Sequence, residues 1–361
     1  MPDPYAEAYL KSIQEARKAV MGGSKANDAL LRLYARMISD INKDLAGEAI
    51  TAERAQVLER KIKRRFSKLA ARTGKLFENA RRGAVDRIIK GHEIAIERAA
   101  SAANVSGLSV SFNGIPDEAL DLMMARRGLS AKNYKSVLNR GLKAAAGDIE
   151  DYLTSAIGRG VNARRASQEL AGILSRNNEA VLNLVNDSKL TKSTIKAALK
   201  TGGITPDQFR QANKILYDSR RIIVTETNTA YRQGDLLSQE RSPVVKATKW
   251  QISGRHNITD SCDYLHEADQ FGLGAGVFPT GNVPGSQHPF CLCHLTSVLR
   301  SPSEWGSPKM KAQRPPTLSD GQAKKFFKGK TDNYIKRQKE SINYYQNLAY
   351  EVKTGAGASA A

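Results

Sequence analysis

A chain of 361 residues is too long for one ordinary hydrophobic core and long enough for two or three compact units. Lys and Arg outnumber Asp and Glu by 56 to 36, a formal charge of +20, so the surface field attracts polyanions, with nucleic acid the default partner. No run approaches the roughly 18 uncharged apolar residues of a membrane span, the first residues lack a secretory signal, and three cysteines exclude a disulfide framework.

In chain order, helices are expected near 5 to 20, 27 to 46 and 51 to 100, where Ala, Leu, Arg, Lys and Glu dominate and proline is nearly absent. The third carries two stripes. Leu58, Ile62, Phe66, Leu69, Leu76, Ala80, Ala84 and Ile88 recur at spacings of three, four and seven, an apolar face that must pack on something. Lys61, Arg64, Arg65, Lys68, Arg72 and Lys75 recur beside it and run for roughly 20 Å at a rise of about 1.5 Å per residue. Such a row matches the spacing of a phosphate backbone, although a solvated helix face also explains it.

A looser middle follows, with Gly107, Gly114 and Pro116, then short helices whose apolar faces include Leu153, Ile157, Leu170, Ile173, Leu182 and Val185. Thr205 and Pro206 read as N-cap and first residue of a new helix. After Pro243 the alternation from Val245 to Ser253 predicts a half-buried strand, and Cys291 to Leu299 predicts another. Beyond the prolines at 302, 308, 315 and 316, a basic, aromatic helix is expected to carry Lys324, Lys325, Lys328, Lys336, Arg337 and Tyr344. The Lys61 to Lys75 stripe and this segment are the candidate duplex DNA contacts.

All three cysteines and four of the five histidines lie between residues 256 and 294. On a strand, Cys291 and Cys293 would point to one face, with Leu292 and His294 on the other. Cys262, with His266 or His288, would then complete a tetrahedral zinc site of thiolates and imidazole. A buried reduced core, or a single bridge from Cys262, fits the same residues. Catalytic motifs are lacking, with no Gly-rich phosphate loop and no nucleophile elbow; a metal-dependent nuclease built on the Cys/His cluster is the alternative. Glu226, close to Arg221, reads as an ion-paired helix residue and not as an acid catalyst.

The order of these parts resembles the phage Mu F-like head morphogenesis family. The residues that carry the resemblance are Arg221, Thr225 and Glu226 on a helix, Trp250 on a strand, Arg255, Cys262 and His266, then His288, Pro289, Cys291 and Cys293. It covers about residues 206 to 300 and departs at Ser253-Gly-Arg-His and at Leu292, where the family usually carries an acid and an arginine. The resemblance implies a non-enzymatic minor head protein, needed for assembly or DNA packaging and ejection. It would be associated with the portal protein and with the major capsid or scaffolding protein, located in the virion head near the portal and in the host cytoplasm during assembly.

The expected fold is predominantly α: a helical region 1 to 105, a helical middle 106 to 204, a small α+β Mu F-like module 205 to 300, and a linker with a basic helix and tail over 301 to 361.

Overall fold

The computed structural model describes residues 3–20, scattered residues between 26 and 40, residues 52–125 except 109, and residues 206–354 except 255, 286, 289 and 290. The helical middle falls outside them from residue 126 onward, as do the terminal tail and most of the helix expected at 27 to 46. Of that helix the residues at 29, 30, 33, 36, 37 and 40 are described and are helical. The described elements are α1 (Pro4–Lys18), α2 (Ala52–Ala102), α3 (Ile115–Ala125), α4 (Pro206–Arg241), β1 (Val245–Gln251), α5 (Ser261–Glu267), β2 (Val277–Phe278), β3 (His294–Leu299), α6 (Asp320–Phe326) and α7 (Asp332–Thr354). The described fold is thus mostly helical with one small antiparallel sheet. Among the described residues no helix is long and apolar enough to cross a membrane.

Two compact units interleave along the chain. One gathers Met1–Gly22, Arg81–Arg126 and Thr225–Ala361, and the other gathers Gly23–Ala80 and Arg127–Val224. Residues of both α2 and α4 belong to each unit.

Among the described residues the first unit has three cores. In the largest, Tyr9, Ile13 and Val20 from the N-terminal segment meet Val85, Ile88 and Ile96 of α2, Ile115 and Ala119 of α3, Tyr231 and Leu237 of α4, and Val244 and Val245. Gly234 allows α2 and α4 to approach closely, since a Cβ there would lie 2.9 Å from Ile88 Cγ2. Fully buried polar groups stitch the same elements. Tyr9 Oη lies 2.8 Å from His92 Nδ1, and His92 Nε2 lies 2.7 Å from Asp235 Oδ1. Gln239 Nε2 donates to the same Asp235 oxygen at 2.9 Å and accepts at Oε1 from Thr248 at 2.7 Å.

The sheet has the order β2-β1-β3, antiparallel throughout, with a register shift between Val245 and Ala247 in the β1 to β3 pairing. It supports a second core of Leu236, Trp250, Cys262, Leu265, Phe278, Val283, Cys291, Cys293 and Leu295. The strand expected from Cys291 pairs only from His294 onward, so both cysteines lie in the segment leading into β3. The burial alternation persists there, with Cys291 and Cys293 buried and Leu292 half-buried.

The C-terminal region departs from the single helix expected. Gly329, at φ +85, sits in a break between α6 and α7. The two helices fold against each other through Leu318, Ala323, Phe327, Ile335 and Ile342, with Tyr264 of α5 packed on that cluster. Tyr334 Oη donates to the Thr259 carbonyl at 2.6 Å, and Ser261 N donates to Gln338 Oε1 at 2.9 Å. The basic segment is therefore part of the module and not a free arm.

The second unit is described mainly through residues 52–80 of α2. Ile62, Phe66, Leu69 and Phe77 are buried, as are Leu30 and Met37 from the preceding segment. The apolar stripe is legible here as the side of the helix that turns inward. Leu76 and Ala80 are half-buried, and the side chain of Leu58 lies outside the described residues.

Candidate functional site: a thiol and imidazole cluster beside Trp250

The site begins with a helix cap. Asp260 precedes α5, its carboxylate accepts from Cys262 N at 2.7 Å, and the Asp263 carboxylate accepts from Asp260 N at 2.7 Å, a reciprocal capping box that fixes the first turn of the helix. Cys262 is thereby pinned in that turn and is fully buried. From the other side, the segment before β3 delivers Cys291 and Cys293. All three Sγ atoms lie within 4.8 Å of one another, and Cys262 Sγ is 3.7 Å from Cys291 Sγ. The cysteines are free, with no disulfide among them.

α4 supplies the wall behind the sulfurs. Asn228 Nδ2 donates to the Cys291 carbonyl at 3.2 Å. One helical turn later, the buried Arg232 donates from Nη2 to the Cys293 carbonyl and to Cys291 Sγ, the latter at 3.6 Å, while its guanidinium carbon stands 4.6 Å from the Trp250 ring centroid. Hydrogen bonds from Cys262 and Cys293, with the Arg232 charge adding to them, hold the Cys291 thiol well below its ordinary range. Cys262 is pushed upward, first by its hydrogen bond to Cys291. The trio thus favours a thiolate at Cys291.

His288 joins this trio at its edge, with Nε2 3.5 Å from Cys262 Sγ and 3.3 Å from Asp260 Oδ2. His256, Asp260 and His288 form a second group whose ligand atoms lie within 4.8 Å of one another, all half-buried. His256 Nε2 is 2.8 Å from Asp263 Oδ2. Burial raises the Asp260 pKa, offset in part by the hydrogen bond from Cys262 N and by the nearby imidazoles. Both groups could hold a metal ion.

His266 is in neither group. Expected as an alternative to His288 for the fourth ligand, it is engaged elsewhere, its Nδ1 donating to the Trp250 carbonyl at 3.0 Å. Gly276 explains the tight setting: its φ of +68 turns the following loop back so closely that a Cβ would meet the His266 carbonyl oxygen at 2.5 Å.

The remaining family-motif residues divide. Thr225 and Glu226 are buried in α4, and Trp250 is fully buried at the centre of the second core. Arg221 lies on α4 with its side chain outside the described residues, and Arg255 and Pro289 lie outside them altogether. Arg232, Asn228 and Asp260 were missed by the sequence reading. The pattern Asp260-x-x-Asp263 before a short helix was a readable capping signal, whereas nothing local marks Arg232.

The cationic residues are placed as expected on accessible faces. Lys61, Arg64, Lys68, Arg72 and Lys75 are exposed along α2, and Arg65 is half-buried, paired with Asp40 at 2.8 Å. Lys324, Lys325, Lys328, Lys336 and Arg337 are exposed. Lys324 stands 3.9 Å from Asp332, and Lys328 sits in the break between α6 and α7. No family model matches the chain, and neither the curated proteins nor the solved structures contain a match to it.

Proposed function

We propose that this chain is a polyanion-binding structural component of a tailed-phage head, a Mu F-like minor capsid protein. In this reading it holds packaged double-stranded DNA without sequence preference and docks on the portal protein and on the major capsid or scaffolding protein. It acts inside the virion head near the portal, in head assembly and DNA packaging or ejection, and not as an enzyme. The observation that carries the reading is the row of exposed cations on one face of α2, from Lys61 to Lys75, over an inward apolar face.

Phosphate contacts of this type give affinity that falls steeply with salt and ignores base identity. Replacing Arg64, Arg65, Lys68 and Arg72 together with glutamine should lower duplex affinity by about two orders of magnitude at low salt and flatten the salt slope by about three units. Fluorescence anisotropy over a salt series checks this; an unchanged slope removes the stripe from the interface.

In the same reading, Cys262, Cys291, Cys293 and His288 hold a structural zinc ion. The distances support it. Tetrahedral zinc with bonds of about 2.3 Å to sulfur and about 2.0 Å to nitrogen requires S to S edges of about 3.7 Å and S to N edges of about 3.5 Å. Two of the six edges have those lengths, 3.7 Å between Cys262 and Cys291 and 3.5 Å between Cys262 and His288. His288 stands outside the group of three sulfurs that lie within 4.8 Å of one another and would have to move inward to complete the tetrahedron. Arg232 opposes the surplus negative charge that three thiolates leave on a divalent ion. A bound zinc ion would clip α5 to the entry of β3.

A metal-dependent nuclease is the second reading, favoured by the half-buried His256, Asp260 and His288 group. Under the structural reading, duplex DNA stays intact with magnesium or manganese on an agarose assay. Cleavage that disappears in His256→Ala would favour the nuclease.

A further inference from the structure

The cationic row on α2 is not uniform. Between α2 and the preceding helical segment lies a cavity of about 120 Å³ lined by Leu33, Arg36, Met37, Asp40, Arg65, Lys68, Leu69 and Arg72. Its floor is apolar, with Met37 and Leu69 buried. Its rim carries four cations and one carboxylate. Arg65, Lys68 and Arg72 lie on successive turns of α2, while Arg36 and Asp40 lie one turn apart on the opposite wall. Asp40 takes the charge of Arg65 at 2.8 Å, and the ion pair fixes the α2 wall to the facing one. With Arg65 offset by Asp40, the three charges of Arg36, Lys68 and Arg72 remain, gathered around a concavity instead of spread along a rod.

We propose that this cleft is a seat for one phosphate group, with Arg36 and Arg72 closing on its oxygens from opposite walls and Lys68 between them. Guanidinium groups suit this role, because their planar forks match two phosphate oxygens at once, and the apolar floor limits competition from water. The seat differs from a simple stripe in one respect. Arg36 belongs to a different segment and has no place in the helical row, whereas Lys61, Arg64 and Lys75 belong to the row but lie outside the cleft. The proposal rests on the polyanion reading, and the phosphate has two sources, the backbone of a nucleic acid or a free phosphate.

The test uses the full chain with two probes, a 20-base-pair duplex followed by anisotropy and inorganic phosphate followed by ³¹P line broadening. Arg36→Gln and Arg72→Gln should each lower duplex affinity by roughly five- to tenfold and take about one unit from the salt slope, and each should abolish phosphate broadening. Lys75→Gln, in the row but outside the cleft, should change duplex affinity by no more than about twofold and leave the broadening intact. All three side chains reach the surface, so folding is verified by unchanged circular dichroism and melting. Equal effects at Arg36, Arg72 and Lys75 would leave the stripe reading standing and overturn the seat. Phosphate binding that depends on Arg36 and Arg72, without duplex binding, would uphold the seat and defeat the nucleic-acid reading. Failure of both probes overturns the proposal outright.

Discussion

Under the proposed zinc reading, the Cys291→Ser variant is expected to lose its metal and to melt about 6–16 °C below the parent chain. The size follows from how the metal would act. A structural zinc site contributes about 10 kcal/mol or more to domains that have little else. Here the module also owns a core around Trp250, so the ion adds to a fold that the core already supports and roughly 3–4 kcal/mol is the reasonable share. At about 2–4 °C per kcal/mol for a unit of this size, that gives the shift stated. A strong chelator added to the parent chain should reproduce the drop, and metal analysis should find one zinc per chain before chelation and none after. Absence of metal in protein purified under reducing conditions, with Cys291→Ser melting within about 2 °C of the parent, would show instead that the three thiols are a reduced core.

Asp235→Ala should be about as damaging for a different reason. Its carboxylate is fully buried and accepts from His92 and Gln239, so alanine leaves two donors without a partner in the largest core. Removing one member of a buried polar pair costs about 3–5 kcal/mol, most of it the stranded remainder. His92→Leu alone should cost less than Asp235→Ala. The double variant should be milder than the sum by about 1–3 kcal/mol, a coupling that urea denaturation of the four proteins measures. Strict additivity would mean that the two side chains are neighbours without energetic linkage.

What could be read from the residues depended on period and distance. The stripes of α2 were legible because 3.6 residues per turn converts a string into faces, and Ile62, Phe66, Leu69, Ala84 and Ile88 are buried while Lys61, Arg64, Lys68, Arg72 and Lys75 are exposed. The shared face of Cys291 and Cys293 was legible for a similar reason, since an extended segment alternates whether or not it is paired. His266 stands apart from the sulfurs because nearness to Cys262 in the sequence does not fix a side chain's partner, and the Trp250 carbonyl claims its Nδ1. The break at Gly329 was written in the text, with Thr331 as the next cap accepting from Tyr334 N at 3.4 Å, but a continuous run of lysines and aromatics hid it. Tyr9, His92 and Asp235 carry no such local mark. They are separated by 83 and 143 residues, and only the assembled helices bring them together.

The seat of α1 has a consequence for synthesis. Tyr9 rests against Ser297, with the two hydroxyls 3.5 Å apart, and the Tyr5 ring meets Trp305 edge-on at 5.8 Å. A ribosome adding roughly 5–20 residues per second needs on the order of tens of seconds to pass from one partner to the other. Throughout that interval the first helix has α2 and α3 to pack on, but the part of its seat supplied by β3 and Trp305 is still missing. Docking of the first helix on α2 should therefore precede, and its final seating wait for, translation of the last strand and Trp305.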